Sequence, residues 1–262
     1  QKYKNLVIRL YKSFSISTHN SNRLFEWDTL KKKFYKIDNK NYINLKDLLH
    51  IKNQKQEILN NTEKFAKGLE ANNILLWGAR GTGKSSLVLA VFNYLSNLHN
   101  IYMLELKNTQ IFELSQILRL LNKKKRKFII FCDDFSFKTE NKEFNLFKNI
   151  VDGSARKNPN ILFYVTSNYR HIIKTNNYEN ANAIQKKEYL EDTIALSDRF
   201  GMWIGFQSMT KDSYLDIVKL YAGIYNIKIS GKVLTDKALQ WTRLRGSMSG
   251  REALNFIKYL VK

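Results

Sequence analysis

Residues 78–85 constrain the fold more than any other part of the chain. They read GARGTGKS, which fits the pattern G-x-x-x-x-G-K-[ST] of a phosphate-binding loop. The short apolar run at 74–76 comes just before it, as expected for a buried parallel strand. After it, apolar residues recur at helical spacing from Leu87 to Leu95. The sequence therefore predicts a loop that joins a strand to the amino-terminal end of a helix.

Each residue type in this loop suits the binding of nucleotide phosphate. Gly78, Gly81 and Gly83 tolerate positive φ, which lets successive N–H groups turn toward one anion. Lys84 is placed to reach the β- and γ-phosphates, and the Ser85 hydroxyl to ligate Mg²⁺. The predicted phosphate contacts are Gly78, Ala79, Arg80, Gly81, Thr82, Gly83, Lys84, Ser85 and Ser86. The alternative, a glycine turn with a surface lysine, does not account for the flanking strand and helix.

A second motif is the apolar run at 128–132, which ends in Asp133 and Asp134. An acid at the carboxyl end of a strand faces the ligand crevice of an open α/β sheet. Asp133 is therefore the candidate Mg²⁺ ligand, and Asp134 the candidate group that polarises the attacking water. An acidic turn after a buried strand is the plainer interpretation. Cys132 is then expected to be strand core and not a reactive thiol.

Three further polar residues each allow two interpretations. Asn168 follows the apolar run at 161–165, where it either orients water against the γ-phosphate or simply ends the strand. Arg199 precedes the last predicted strand and is either an arginine finger for a neighbouring subunit or part of an internal salt bridge. Arg251 falls in the first turn of the final helix, where the helix dipole disfavours a cation. It has either a phosphate partner or a position on the open surface.

Apolar runs and helical patterns alternate through the middle of the chain. The predicted strands are 74–77, 101–106, 128–132, 161–165 and 203–206. Helices fit between them, as parallel connections require. A helical pattern is also predicted from Leu45 to Lys67, and helical spacing dominates beyond residue 210. We expect an N-terminal segment at 1–45, an α/β domain at 46–208 and a helical lid at 209–262.

The charge of the chain allows two kinds of explanation. Lys and Arg number 44 against 23 Asp and Glu, a formal net charge of +21. Such a surplus is typical of proteins that bind nucleic acid or acidic membrane surfaces. A genome that favours AT-rich codons also enriches Lys and Asn without any partner. The run at 123–127 reads KKKRK, and the edge of the sheet opposite the nucleotide is its expected place.

The remaining composition bears on the compartment. No apolar run approaches the roughly 18 residues that a membrane-spanning helix needs. The pattern of a secretory signal peptide is not seen, and the single cysteine cannot form an internal disulfide. These features predict a cytoplasmic protein with no membrane span.

Taken together, the motifs resemble those of the AAA+ ATPases over residues 45–262. The resemblance implies an α/β P-loop NTPase fold: a three-layer α/β/α sandwich around a parallel sheet of five strands, in the order 5-1-4-3-2, with a C-terminal all-helical lid. It implies ATP and Mg²⁺ as ligands. It also implies that Asn168 is the residue called sensor 1, that Arg199 acts in trans as the arginine finger, and that Arg251 is sensor 2. Residues 47–51 resemble the linker that packs on adenine, so Leu48, Leu49 and Ile51 are the implied base contacts.

Three strings are similar to a narrower bacterial AAA+ family that carries only a domain-of-unknown-function label. They lie at 72–87, 131–134 and 197–201. The chain departs from the general AAA+ pattern twice. Asp134 stands where a catalytic Glu is usual. The Asp side chain is one methylene shorter than that of Glu. The region after Leu106 has no aromatic–hydrophobic–Gly pore loop, which argues against a peptide-threading motor.

These observations lead to one expected function and one alternative. The first is Mg²⁺-dependent ATP hydrolysis by a homo-oligomer, a hexamer or partial ring, that remodels a protein partner the sequence does not identify. The alternative is a nucleic-acid-binding switch or loader, in which ATP mainly sets the conformation. A small-molecule kinase shares the phosphate loop, but it would not explain Arg199 or the helical lid.

Overall fold

The computed structural model describes residues 23–37, 43–124, 126–135, 137–138, 142–168, 173–174 and 199–261. The strands in this part of the chain are β1 (Leu24–Asp28), β2 (Lys33–Lys36), β3 (Ile74–Gly78), β4 (Ile101–Leu106), β5 (Lys127–Cys132), β6 (Phe137–Lys138), β7 (Ile161–Ser167), β8 (Ile173–Lys174) and β9 (Met202–Phe206). The α-helices are α1 (Lys52–Lys67), α2 (Lys84–Ser96), α3 (Leu114–Asn122), α4 (Lys142–Lys157), α5 (Lys211–Ile224), α6 (Gly231–Arg245) and α7 (Gly250–Leu260). Two short 3₁₀ helices lie at Leu45–Asp47 and Asn108–Glu113.

The main sheet has the strand order β2-β1-β4-β5-β7-β3-β9 in the part of the chain that is described. Its last five strands follow the order 5-1-4-3-2 implied by the AAA+ resemblance, and they pair in parallel. The strand that precedes the phosphate loop, β3, lies between β7 and β9. The carboxyl ends of β3, β5 and β7 therefore meet at one edge of the sheet, which confirms the predicted parallel α/β architecture.

The predicted count of five strands is wrong, because the segment at 1–45 contributes two more. β1 pairs in parallel with β4, and β2 pairs antiparallel with β1. Leu24, Phe25, Trp27 and Phe34 are buried there, so the pair covers what would otherwise be an apolar sheet edge. The Arg23 guanidinium donates to the backbone oxygens of Ser96 and His99, which ties the start of β1 to the end of α2.

Helices cover both faces of the sheet. Along β5, Phe128, Ile130 and Cys132 pack in one core, whereas Ile129 and Phe131 pack in the core on the opposite face. This alternation is the period of two that a strand buried on both faces must show. Cys132 is fully buried, as predicted, and burial raises the pKa of its thiol.

The helices α5, α6 and α7 enclose a core of their own. Its fully buried members include Tyr214, Ala238, Ala253 and Ile257. The Trp241 indole N–H donates to Glu252 Oε2 at 3.0 Å, which joins α6 to the first turn of α7. No helix in the described residues is long and apolar enough to cross a membrane.

The helix predicted from Leu45 begins later, at Lys52. Before it, the 3₁₀ helix at Leu45–Asp47 ends and the chain bends at His50, whose φ is +60°. His50 Nε2 lies 3.2 Å from Asp216 Oδ2 on α5. Residues 48–51 therefore form an extended linker between the sheet layers and the helical lid.

Candidate nucleotide site

The phosphate loop adopts the backbone that its glycines predict. Gly78, Gly81 and Gly83 have φ values of +140°, +73° and +100°, which side-chain-bearing residues rarely adopt. A Cβ on Gly78 would stand 2.2 Å from the Phe206 carbonyl oxygen, so no larger residue fits between β3 and β9. Gly83 directly precedes α2, and the unpaired N–H groups of that helix start at the loop.

Lys84 is the cation at the centre of the site. Its side chain is buried, and its Nζ donates to the backbone oxygens of Gly78 at 2.7 Å and Ala79 at 2.8 Å. Its Nζ also lies 3.4 Å from Asn168 Oδ1. Burial lowers the pKa of Lys84, and the carboxylates of Asp133 and Asp134 act in the opposite direction. The two acids thus help to keep the ammonium charged inside the loop.

Asp133 and Ser85 form an oxygen-rich pair beside this lysine. The Ser85 hydroxyl donates to Asp133 Oδ1 at 2.5 Å, although the two residues come from α2 and from the end of β5. A hydroxyl and a carboxylate side by side suit Mg²⁺, which takes few protein ligands and keeps water and phosphate for the rest. The residues present therefore fit the predicted metal role of both side chains.

Asp134 lies at the junction of three elements. Its Oδ1 accepts a hydrogen bond from Asn168 Nδ2, and its Oδ2 lies 3.7 Å from Arg80 Nη2 in the phosphate loop. Its backbone has a φ of +49°, unusual for a residue other than glycine. Asn168 thus contacts both Lys84 and Asp134. These three predicted site residues follow the strands β3, β5 and β7, and the structure brings them together.

The lid meets the phosphate loop directly. The Gly250 N–H donates to the Gly81 carbonyl oxygen at 2.9 Å, and the Ser249 hydroxyl caps α7 by accepting from the Glu252 N–H. A Cβ on Gly81 would lie 2.7 Å from Ser249 Oγ, so this contact requires glycine as well. Arg251, one residue into α7, lines the pocket that the loop and the lid enclose. The predicted sensor-2 residue is therefore at the site.

The pocket has a volume of about 430 Å³ and continues past the loop into an apolar end. The three predicted base contacts, Leu48, Leu49 and Ile51, all line it. Sequence reasoning missed the other lining residues, which are Ile43, Asp47, Thr166, Met209, Ile217, Tyr221, Gly250 and Leu254. Ile217 and Tyr221 are four apart and share a helix face, but spacing alone does not say which face turns toward a ligand.

Arg199 is not among the residues that line this pocket. It stands just before β9, the strand at one edge of the main sheet, and the neighbouring Phe200 is buried. The adjacent Ser197 and Asp198 of the same motif lie outside the described residues. Among the predicted loop contacts, Gly78 and Ala79 do not line the pocket either, but their carbonyl oxygens hold Lys84.

Comparisons with known proteins identify the family of the chain and support its fold. A family model described as "Protein of unknown function (DUF815)" matches residues 20–262. An AAA-ATPase from Arabidopsis thaliana is 32% identical over 157 residues, a match that covers 54% of this chain and 32% of that protein. This chain thus spans only about a third of that relative.

Two solved structures are similar in fold. A variant of Thermotoga maritima RuvB superposes with a TM-score of 0.52 at 14% identity, over 82% of this chain and 71% of that one. The Aeropyrum pernix ORC2 protein, solved as ADPNP and ADP complexes, gives 0.52 at 10% identity, over 84% and 70%. At such identities the likeness concerns the fold alone, and that fold is the one implied by the phosphate loop, the strand order and the helical lid.

Proposed function

The chain belongs to the DUF815 family and has the AAA+ fold, and from that premise we propose that it binds and hydrolyses ATP with Mg²⁺ as an oligomer. One observation carries the proposal. Lys84, the adjacent Asp133 and Asp134, Asn168 and Arg251 come from four separate parts of the sequence and line a single pocket between the sheet and the lid. A nucleoside triphosphate needs this combination of cations, acids and a neutral amide around its phosphates.

The phosphate end of the pocket supplies each group that the reaction requires. Ser85 and Asp133 would hold Mg²⁺, which when bound neutralises charge that develops on the phosphates. Lys84 exchanges its bonds to two backbone oxygens for bonds to phosphate oxygens, so its position is preset before the nucleotide arrives. Asp134 polarises the attacking water, and Asn168, which already contacts Asp134 and Lys84, orients that water.

Hydrolysis is completed by a neighbouring subunit in this proposal. Arg199 lies at the edge strand β9 and outside the pocket of its own chain, which suits a residue that enters the pocket of the next chain. The proposed oligomer is a hexamer or a partial ring, in which each Arg199 can reach the pocket of the next subunit. Since α7 contacts both the phosphate loop and the pocket, γ-phosphate loss would move the lid and with it the subunit contact.

The decisive experiment is a mixing assay of two variants that fail for different reasons. Lys84→Ala cannot bind nucleotide but keeps its arginine finger, whereas Arg199→Ala binds nucleotide but lacks the finger. Each alone should be inactive, with the Arg199→Ala loss about 10³-fold or more. Mixed in equal amounts, they should regain part of the ATP turnover, because some interfaces then combine an intact pocket with an intact finger.

The outcomes of this assay separate the parts of the proposal. If Arg199→Ala turns over ATP at the native rate in the assembled state, the finger assignment is wrong. If native protein turns over ATP with the same specific activity at every concentration, the site is complete within one chain. If native protein binds neither ATP nor ADP, the proposal as a whole fails.

We also propose a second candidate, a nucleic-acid-binding switch, because of the charge of the chain. The net charge is +21, and the described cations of the basic run, Lys123, Lys124, Arg126 and Lys127, stand at the amino end of β5, away from the nucleotide pocket. DNA or RNA binding whose log K falls steeply with log salt would support this candidate. Little binding near physiological salt would remove it.

A further inference from the structure

Thr166 holds both acids of the site with a single side chain. It is the second-last residue of β7 and is almost completely buried. Its hydroxyl donates to Asp133 Oδ1 at 2.5 Å and accepts from the Asp134 N–H at 2.9 Å. Its carbonyl oxygen accepts from the Phe135 N–H at 2.8 Å. Three consecutive residues after β5 are therefore fixed to one residue of the neighbouring strand.

The bonds from Thr166 matter because the backbone of Asp134 has an unfavourable conformation, with a φ of +49°. A non-glycine residue at positive φ is strained and persists only where its surroundings enforce it. The bond from the Asp134 N–H to Thr166 provides that support, and it lies in a partly buried place where water competes poorly. The turn directs the short Asp134 side chain toward Asn168 and Arg80.

Thr166 differs in type from the strand that carries it. The preceding residues of β7, at 161–165, are aliphatic or aromatic, and the whole strand is buried. Valine would fill the same shape and suit a buried strand equally well. What valine cannot supply is the hydroxyl, so a Thr at this place is explained by the two bonds that it makes to the acidic turn.

We propose that Thr166 is the positioning residue of the site: its hydroxyl, which bonds to both acidic residues, sets the direction of the Asp133 and Asp134 carboxylates relative to one another. This inference rests on the proposed ATPase function. The hydroxyl fixes Asp133 toward Ser85, where Mg²⁺ would be held, and it fixes the backbone from which Asp134 reaches the water. The positive φ at Asp134 brings an acid one methylene shorter than the usual Glu into line with Asn168.

The test compares three variants that lose or keep a buried hydroxyl. Thr166→Val removes both bonds, and Thr166→Ser keeps the hydroxyl that makes them. Thr62→Val is the matched control, because Thr62 is equally buried and its hydroxyl bonds to the Ile58 carbonyl and the Tyr164 hydroxyl, on α1 and β7 away from the acids. Thermal unfolding of all three variants reports how much stability each loses.

Two readouts follow, one of them independent of turnover. For Thr166→Val, we expect kcat for ATP to fall about 10–100-fold, the usual loss when a residue that orients a metal ligand is removed, with little change in KM. The second readout is the affinity for ADP in Mg²⁺ and in EDTA. The gain that Mg²⁺ gives native protein should shrink in Thr166→Val, whereas the affinity in EDTA should stay native. Thr166→Ser should restore most of both values, and Thr62→Val should match native protein in both.

Several results would overturn the inference. A native kcat and a native Mg²⁺ effect in folded Thr166→Val would show that the hydroxyl positions nothing of consequence. Equal losses in Thr62→Val, or no recovery in Thr166→Ser, would assign the effect to general destabilisation. These results differ from a failure of the proposed function, in which native protein itself shows neither nucleotide binding nor ATP turnover.

Discussion

The two ends of the pocket are built in opposite ways. The phosphate end consists of polar side chains and backbone groups, most of them joined by hydrogen bonds of 2.5–3.4 Å. The base end consists mainly of aliphatic side chains from the linker and the lid, such as Leu49, Ile217 and Leu254. A hydrogen bond is lost when its donor or acceptor atom is removed, whereas an apolar contact weakens in proportion to the buried surface area that is lost. The phosphate end should therefore control the rate, and the base end should adjust the affinity.

The strongest test of this contrast is Lys84→Ala. The variant removes the one lysine that lines the pocket in the described part of the chain, and with it a buried cation that would face the phosphates. We expect ATP and ADP binding to fall below detection, and ATP turnover with it. Calorimetric titration of ADP measures the binding, and thermal unfolding checks that the variant is folded. Retention of near-native ADP affinity would contradict the assigned role.

Asp134 gives the next largest effect. Asp134→Asn keeps the size of the side chain but loses its charge, so ATP turnover should fall about 10²–10⁴-fold, as for loss of a general base. The affinity for ATP should stay native, because Asp134 acts on the water and not on the nucleotide. Single-turnover kinetics separate the two quantities. Asp134→Glu sharpens the test: if the backbone at +49° already compensates for the shorter acid, Glu lowers the rate as well.

The base end should respond more mildly. Leu49→Ala would remove the apolar contact proposed between Leu49 and the base, and we expect the affinity for ATP and for ADP to weaken together by about tenfold, with kcat unchanged. Leu244→Ala is the matched control, because Leu244 is 86% exposed on α6 and does not line the pocket. Equilibrium titration with both nucleotides measures the change. A large fall in kcat would break the proposed division between rate and affinity.

The smallest expected effect concerns stability and pH. Burial lowers the pKa of Lys84, so the folded protein releases this proton at a lower pH than the unfolded chain, whose lysine has the ordinary value of 10.5. The free energy of unfolding of native protein should therefore rise with pH between the folded-state pKa of Lys84 and 10.5. Lys84→Met has no ammonium group at this position, so it should lack this part of the rise. The comparison is the denaturation midpoint of native protein minus that of Lys84→Met, measured at several pH values without nucleotide. A difference that falls as the pH rises would contradict this sign.

The same contrast explains what the sequence could predict. Two parts of the site could be identified from local sequence patterns, namely residues 78–85 and the pair Asp133 and Asp134. In both, the residues that act together are adjacent in the sequence. The AAA+ resemblance implies the strand order, and the structure has that order. Thr166 lies two residues before Asn168 in an apparent strand end, but only the pairing of β5 with β7 shows its hydroxyl between two acids.

Other parts of the molecule depend on contacts that no local pattern encodes. Met209, Ile217, Tyr221 and Leu254 look like ordinary helix core, and only the packing of the lid turns them toward the pocket. Sequence reasoning missed the hairpin of β1 and β2 because its strands are short and the run of lysines at 31–33, in the turn and at the start of β2, resembles a solvated loop. β1 pairs with the edge of β4, which lies far along the chain, so no local pattern predicts this pairing.

The hydrogen bond between Gly250 and Gly81 joins the first residue of α7 to the phosphate loop, so a rotation of the loop backbone would tilt this helix. The helix has 11 residues and so extends about 16 Å from Gly250. A tilt of about 10° at Gly250, small enough to follow from a peptide rotation in the loop, would displace the far end near Leu260 by about 3 Å. Tyr259, 72% exposed at that end, would carry the movement on the surface of the protein, where a neighbouring molecule can sense it.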